Sequence, residues 1–391
     1  MNRKTTLLFL LGCGVLYFAL PFTGMLIRWQ GTVFPDTPPG YAPGYGIFPA
    51  VATDPAPGFN LIVFIAGCIV AGFMALFILI PALFGFKKTD DGYRPSTGTP
   101  FPFYFLPSLI VFIASWIINW ARWPEPLDMY IFVPLWWSFI LLLDAIVYKR
   151  NYGRSIFSTT PTTFKLIFAV SSVAWWSFEY LNYFFLELWY YPNADLFTSF
   201  GRTFWYLLSF TVVWPGIFEF YSLLRTFPFF RNRYSQGLTI RFPVWLQIVL
   251  LFGGFALAFL SGIFPRPLFF ALWLYPMLLA ALAMSLSGKW TIFRPITQGN
   301  WSFVVLIGLA TLANGFFYEL WNEGSLWFHP TVDDNPNYWS YNVPYVNVIF
   351  LFSQMPLLGY FGYIAFGSIV WSIWLYIAEV IGFSPKFDPT E

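Results

Sequence analysis

The sequence predicts an all-α polytopic membrane protein with about ten transmembrane helices, arranged as two parallel four-helix repeats after an N-terminal two-helix hairpin. Three observations predict it. Of the 391 residues, 58% are hydrophobic, 24% aromatic and only 10% charged, with a mean hydropathy of +0.64, far from the composition of soluble domains. Lysine and arginine crowd alternate loops. Two short motifs inside apolar runs are near copies of each other.

Apolar runs of the length a bilayer core demands, about 20 residues, cover residues 5–27, 59–85, 102–119, 128–148, 163–190, 199–224, 242–263, 268–286, 301–326 and 345–382. The first follows Asn2-Arg3-Lys4 as a signal peptide would. Its apolar stretch is too long for one and lacks a small-residue cleavage site, so a retained span is expected. Between the first two runs, Val33 to Pro57 contains Pro38-Pro39-Gly40-Tyr41-Ala42-Pro43-Gly44-Tyr45-Gly46. That composition disfavours helix and predicts an extended outer linker, or a lid over an outward-facing cleft. Residues 1–100 are therefore expected to form the N-terminal hairpin, 101–241 the first membrane repeat and 242–391 the second. Pro126-Leu127 is answered by Pro267-Leu268, and Trp214-Pro215 by Met355-Pro356, both at an offset of 141. An even number of spans per unit makes the repeats parallel.

With a cytoplasmic N-terminus, sixteen of the twenty Lys and Arg residues fall inside, and only Arg28, Arg122, Arg202 and Arg266 fall outside. This is the positive-inside asymmetry, and it predicts a plasma-membrane protein of the bacterial inner-membrane type with both termini cytoplasmic. The net charge of +2 calls for no acidic partner. In the longest inner loop, Arg225 to Arg241, the run Phe227-Pro228-Phe229-Phe230-Arg231-Asn232-Arg233 reads as interfacial anchoring, with too few basic residues for nucleic acid. Both cysteines, Cys13 and Cys68, lie in expected spans, which excludes a disulfide framework or a cysteine-rich metal site.

The duplicated motifs carry the candidate site. Phe178-Glu179-Tyr180-Leu181-Asn182 is closed by Leu188-Trp189-Tyr190-Tyr191-Pro192; Tyr318-Glu319-Leu320-Trp321-Asn322 is closed by Leu326-Trp327-Phe328-His329-Pro330. The glutamates are 140 positions apart and the closing prolines 138. Glu179 and Asn182 share a helix face, continued by Tyr183 and Glu187, as do Glu319, Asn322 and Glu323. An ionisable group in a span defaults to a functional reading, and an amide one turn away can orient a carboxylate or a polar head group. The plain alternative is that each Glu bonds its own Asn or a neighbouring helix and fixes helix contacts.

Glu219 follows Trp214-Pro215-Gly216, where proline removes a helix hydrogen bond, so Pro215 and Pro356 are the expected hinges of broken helices. Unit two has Tyr360 in place of Glu219. Asp144 and Glu379 lie near inner span ends and are expected to reach the interface. His329 stands near Asp333, Asp334 and Glu323, in a spacing that matches no ligand pattern, so no metal and no cofactor are expected. Walker loops, nucleophile elbows, paired-histidine zinc helices and CxxC pairs are absent from the sequence.

Tyr341-Asn342-Val343-Pro344-Tyr345 followed by Gln354-Met355-Pro356-Leu357-Leu358-Gly359-Tyr360-Phe361-Gly362-Tyr363 resembles a pattern in poorly characterised bacterial multi-pass inner-membrane proteins. The resemblance covers the last fifth of the chain and implies no activity; where those proteins favour an acid before Met-Pro, this chain has Gln354. The leading expectation is a membrane protein that binds or transports a lipid-like or small amphipathic ligand in an outward-facing cleft between the repeats. Glu179, Asn182, Glu319, Asn322 and Glu219 would bind it. Two alternatives stand beside it: a non-catalytic subunit of a larger respiratory or photosynthetic membrane complex, and a lipid-modifying membrane enzyme. Membrane lipid and other membrane subunits are the expected partners, and nucleic acid is not.

Overall fold

The computed structural model describes residues 2–31, 56–328 and 335–390. The expected linker up to residue 55, with His329, Asp333 and Asp334, lies outside the described residues. The rest is a helical membrane protein. Its helices are α1 (Arg3–Arg28), α2 (Leu61–Leu79), α3 (Phe105–Ala121), α4 (Phe132–Arg150), α5 (Ile156–Thr159), α6 (Pro161–Leu181), α7 (Ser199–Ser209), α8 (Val213–Arg225), α9 (Pro228–Arg233), α10 (Val244–Ile263), α11 (Ala271–Leu286), α12 (Ser302–Trp327) and α13 (Leu357–Ile381). Among the described residues, seven helices are long and apolar enough to cross a membrane: α1, α2, α4, α7 with α8 as one unit, α10, α12 and α13. Shorter apolar helices, α3 and α11, and the 21-residue α6 account for the other apolar runs.

Capping sets several boundaries. The Asn2 side chain accepts from Thr5 N–H at 2.9 Å, and that of Asn60 accepts from Ile62 and Val63 N–H, satisfying donors that a helix start leaves open. α8 is buried on all sides, from Val213 through Ser222, as befits a helix surrounded by α4, α6 and α12. α12 also packs on α13 and α3, and α11 on α10 and α13. The two helices of the N-terminal segment dock separately. α1 lies on α10 and α11, whereas α2 lies on α13. α1 meets α10 where a Cβ on Gly24 would lie 2.1 Å from the Phe259 carbonyl oxygen and one on Gly262 2.0 Å from that of Pro21. Only glycine permits that backbone approach.

Aromatic side chains join the helices elsewhere. Trp136 of α4 stacks on Tyr318 of α12 at 3.9 Å, and Trp321 meets Trp136 edge-on at 4.8 Å. Phe218 of α8 stacks on Phe387 of the C-terminal segment at 4.1 Å. Such pairs add about 0.5–1.5 kcal/mol each beyond their burial.

The two ends of the bundle differ. At one end the loops rich in Lys and Arg come together: Lys87 N–H donates to the Gln236 carbonyl, Ser96 N–H to that of Arg150, and Gly237 N–H to that of Gly299. Arg225 pairs with Asp388 at 3.3 Å and Lys289 with Glu379 at 2.6 Å. At the other end, three of the four remaining arginines are held by acids: Arg122 near Asp128, Arg202 on Asp195 at 2.8 Å and Arg266 on Glu187 at 2.7 Å. These are called the inner and outer ends below.

The α7–α8 unit is broken at Phe210–Val212, where the helix tightens. Ser171 Oγ of α6 donates to the Phe210 carbonyl at 2.6 Å and accepts from Trp214 N–H at 3.1 Å, while Ser172 Oγ donates to that of Leu207 at 2.8 Å. Neighbouring hydroxyls thus satisfy the freed backbone, the condition for a broken helix at membrane depth. Pro215 lies in the first turn of α8 and Pro356 caps the start of α13, so both prolines stand at helix starts. Residues 345–356, expected as helix, are irregular, and the helix of that run begins at Leu357.

Candidate functional site

α6 ends earlier than its apolar run. After Leu181 the chain makes a single wide turn over Asn182–Leu186, and Glu187 adopts φ +50. Glu187 therefore leaves the expected Glu179–Asn182 face and pairs with Arg266.

The amides expected to orient the glutamates bind backbone instead. Asn182 Oδ1 accepts from Leu188 N–H at 2.7 Å and Trp189 N–H at 3.2 Å, and its Nδ2 donates to the Trp189 carbonyl at 2.7 Å. Asn322 does the same to Trp339, accepting from its N–H at 3.1 Å and donating to its carbonyl at 2.9 Å. Each amide imitates a strand neighbour and pins one extended segment. The two pinned segments then pair with each other: β1 (Trp189–Tyr190) and β2 (Ser340–Tyr341) run antiparallel, Trp189 opposite Tyr341 and Tyr190 opposite Ser340.

This geometry corrects the sequence alignment of the motifs. The counterpart of Trp189 is Trp339, 150 positions on, not Trp327; the counterpart of Tyr191 is Tyr341, not His329. The second motif carries ten more residues between its Asn and its Trp, and the chance match of Leu326-Trp327 with Leu188-Trp189 hid them. A search for Trp-x-Tyr after each Asn would have found both.

Each glutamate receives a tyrosine hydroxyl from its own pinned segment, Tyr191 just past β1 and Tyr341 within β2. Glu179 Oε1 accepts from Tyr191 at 2.8 Å, from Trp175 Nε1 at 2.8 Å and from Trp189 Nε1 at 3.2 Å. Glu319 Oε1 accepts from Tyr341 at 2.5 Å and from Tyr363 of α13 at 2.9 Å. Trp175 precedes Glu179 by four residues, where the second motif has Gly315 before Glu319. A Cβ on Gly315 would lie 2.6 Å from the Tyr363 ring, so the absent side chain makes room for Tyr363. The glutamates are joined through the ribbon, since Trp189 and Tyr341 are cross-strand partners.

Around Glu319 the polar groups multiply. Ser353 and Tyr360 hydroxyls are 2.9 Å apart, Gln354 Nε2 donates to Tyr338, and Glu323 lies one turn from Glu319. Burial pushes the loop hydroxyls of Tyr338 and Tyr341 up, Tyr338 to about 12, so both are neutral donors at pH 7. Glu319 Oε2 and Glu323 Oε2 are buried with no hydrogen-bond partner among the described residues, although the Ser353 hydroxyl approaches the first carboxyl and the Gln354 N–H the second. Gln354, Tyr338, Ser353 and Tyr363 were not singled out as site residues from the sequence, because only folding brings the 335–363 stretch over α12.

Glu219 lies elsewhere, at the middle of α8 and fully buried. Beside it is Asp144, which is also fully buried and not at the interface as expected. Glu379 does reach the inner rim, paired with Lys289. Among the described residues no group of three or more His, Cys, Asp or Glu is placed to hold a metal ion.

No family model, curated protein or solved structure matches this chain. What the site does must be argued from its geometry.

Proposed function

We propose that this chain binds a lipid-like or small amphipathic ligand near the outer end of the bundle, with Glu319 and Glu323 as anchors for a head group rich in hydrogen-bond donors. One observation carries the reading: two buried carboxyl oxygens one helical turn apart, Glu319 Oε2 and Glu323 Oε2, have no donor among the described residues. Buried acceptors left unpaired are costly. A ligand hydroxyl or ammonium would complete them, with the Tyr360, Tyr363 and Phe352 rings beside its apolar part. In this reading Glu179, Asn182 and Asn322 shape the site without touching the ligand, and Pro215 and Pro356 are the hinges of any transport movement.

The same proposal places the chain in the plasma membrane with ten spans, two parallel repeats (101–241 and 242–391) and both termini cytoplasmic. Matching helix contacts support the repeats: α3–α4 with α10–α11, α4–α8 with α11–α13, and α6–α8 with α12–α13. The gathering of basic loops at one end supports the orientation.

Native mass spectrometry of gently extracted protein tests the ligand. The wild type should carry one reproducible small molecule that Glu319→Gln loses while staying folded. Retention of the molecule by that variant, or a wild-type chain with nothing bound, overturns the reading. A stoichiometric protein partner in its place would make the chain a subunit of a larger complex.

A further inference from the structure

The acids at the inner end carry an inference independent of the outer site. Asp144 stands two turns from the end of α4, and its oxygens have fixed donors: the Tyr104 hydroxyl at 2.5 Å and Phe157 N–H at 3.0 Å. Glu219 on the adjacent α8 has none; both its oxygens are buried without a donor among the described residues. The titratable groups facing Glu219 are Asp144 and, behind it, Tyr104. α12 offers an amide one turn further out, where Asn314 Oδ1 lies against Gly216. The arginines that end the two helices are engaged elsewhere, Arg150 on Thr226 and Arg225 on Asp388.

Two ionised carboxylates are both acceptors and repel each other, so adjacent buried acids become partners when one proton lies between them. We propose that Asp144 and Glu219 form a carboxyl pair that holds a single exchangeable proton, reached from the inner end through Tyr104. The proton resides on Glu219, whose hydroxyl donates to Asp144, because Asp144 already accepts from two fixed donors and Glu219 from none. The half-buried Tyr104 joins the pair to the inner surface.

Infrared spectroscopy of the full-length protein in lipid nanodiscs reads the proton directly. At neutral pH the wild type should show a carboxylic-acid carbonyl stretch that shifts in D2O and is missing from Glu219→Gln, whose amide can still donate to Asp144. Glu319→Gln should leave that band in place, which separates this result from the fate of the outer ligand. Tyr104→Phe should keep the band but slow its shift in D2O. If Glu219→Gln does not fold, Asp144→Asn serves, by moving the band when its acceptor changes. Absence of the band in the wild type, its persistence unchanged in the Glu219 or Asp144 variant, or stabilisation by sodium without any band would overturn the proposal. Exchange unaffected by Tyr104→Phe would overturn the route.

Discussion

The two copies of the Glu-x-x-Asn motif fold into similar clasps and differ in how they are finished. In the first, one carboxyl oxygen of Glu179 gathers two indoles and a phenol, all from residues close in sequence. In the second, Glu319 draws on two tyrosines, one from the ribbon and one from a different helix. A glycine in place of a tryptophan makes the difference, since Gly315 admits Tyr363 where Trp175 closes the first copy. The comparison teaches that the same motif can be closed by its own segment in one place and by a neighbouring helix in the other.

The largest expected effect tests that asymmetry. Glu179→Ala leaves three donors facing an apolar gap, and each orphaned buried donor costs about 1–3 kcal/mol. It should abolish folded protein in detergent or sharply lower its thermal midpoint, whereas Glu319→Ala, with two donors stranded and a cluster of hydroxyls nearby, should cost less. Midpoints measured side by side in one detergent settle the order. A larger loss for Glu319→Ala would end the division of roles.

Much of this was legible in the sequence, and the missing parts share a cause. Apolar runs and the separation of basic residues marked the helices and the two ends, because membrane solvation acts on each segment separately. The paired Glu and Asn stood out because polar residues in apolar runs are rare. Their roles did not, because Asn182 and Asn322 bind strands seven and seventeen residues further on, and no helix-face rule reaches across a change of backbone. Asp144 looked like an interfacial acid from its distance to Arg150. Only the packing of α4 against α8 and the approach of Tyr104 show it to be interior.

A smaller effect sharpens the role of the glycine. Gly315→Ala places a methyl against the Tyr363 ring, and overpacking of this kind costs about 1–3 kcal/mol. Displacement of Tyr363 also removes a donor from Glu319. Tyr363→Phe removes that hydroxyl with no clash, for about 1 kcal/mol. Thermal midpoints should therefore fall more in Gly315→Ala than in Tyr363→Phe, and any ligand bound at Glu319 should weaken in both. A silent Gly315→Ala would mean that Tyr363 has room to move, and the clasp would lose its explanation.

The smallest effect sets the outer clasps against the inner surface. There Asp90 and Asp91 meet Arg94 and Arg231 in loops outside the spans. The Arg94 guanidinium beside Asp90 holds its carboxyl down at about 2, below the ordinary 3.8. Asp91 is pushed up by burial but held lower on balance, chiefly by its hydrogen bond from Arg231. A carboxyl lowered on folding contributes stability that is present above its ordinary value and lost as pH falls through the folded one. These contacts should therefore weaken between about pH 4 and pH 2. Asp90 is solvent-exposed and screened, so Asp90→Asn should leave the midpoint at pH 7 unchanged. The variant lacks this pair at every pH, so pepsin should already cut its 85–99 loop faster than the wild-type loop at pH 4, and the two should converge as pH drops to 2 and the wild type loses the pair. Asn322 holds Trp339 through an amide that does not titrate, so cleavage near the 338–342 segment should not follow the same curve. A common curve at both ends would show that acid opens the whole molecule and that the two regions are not held by different physics.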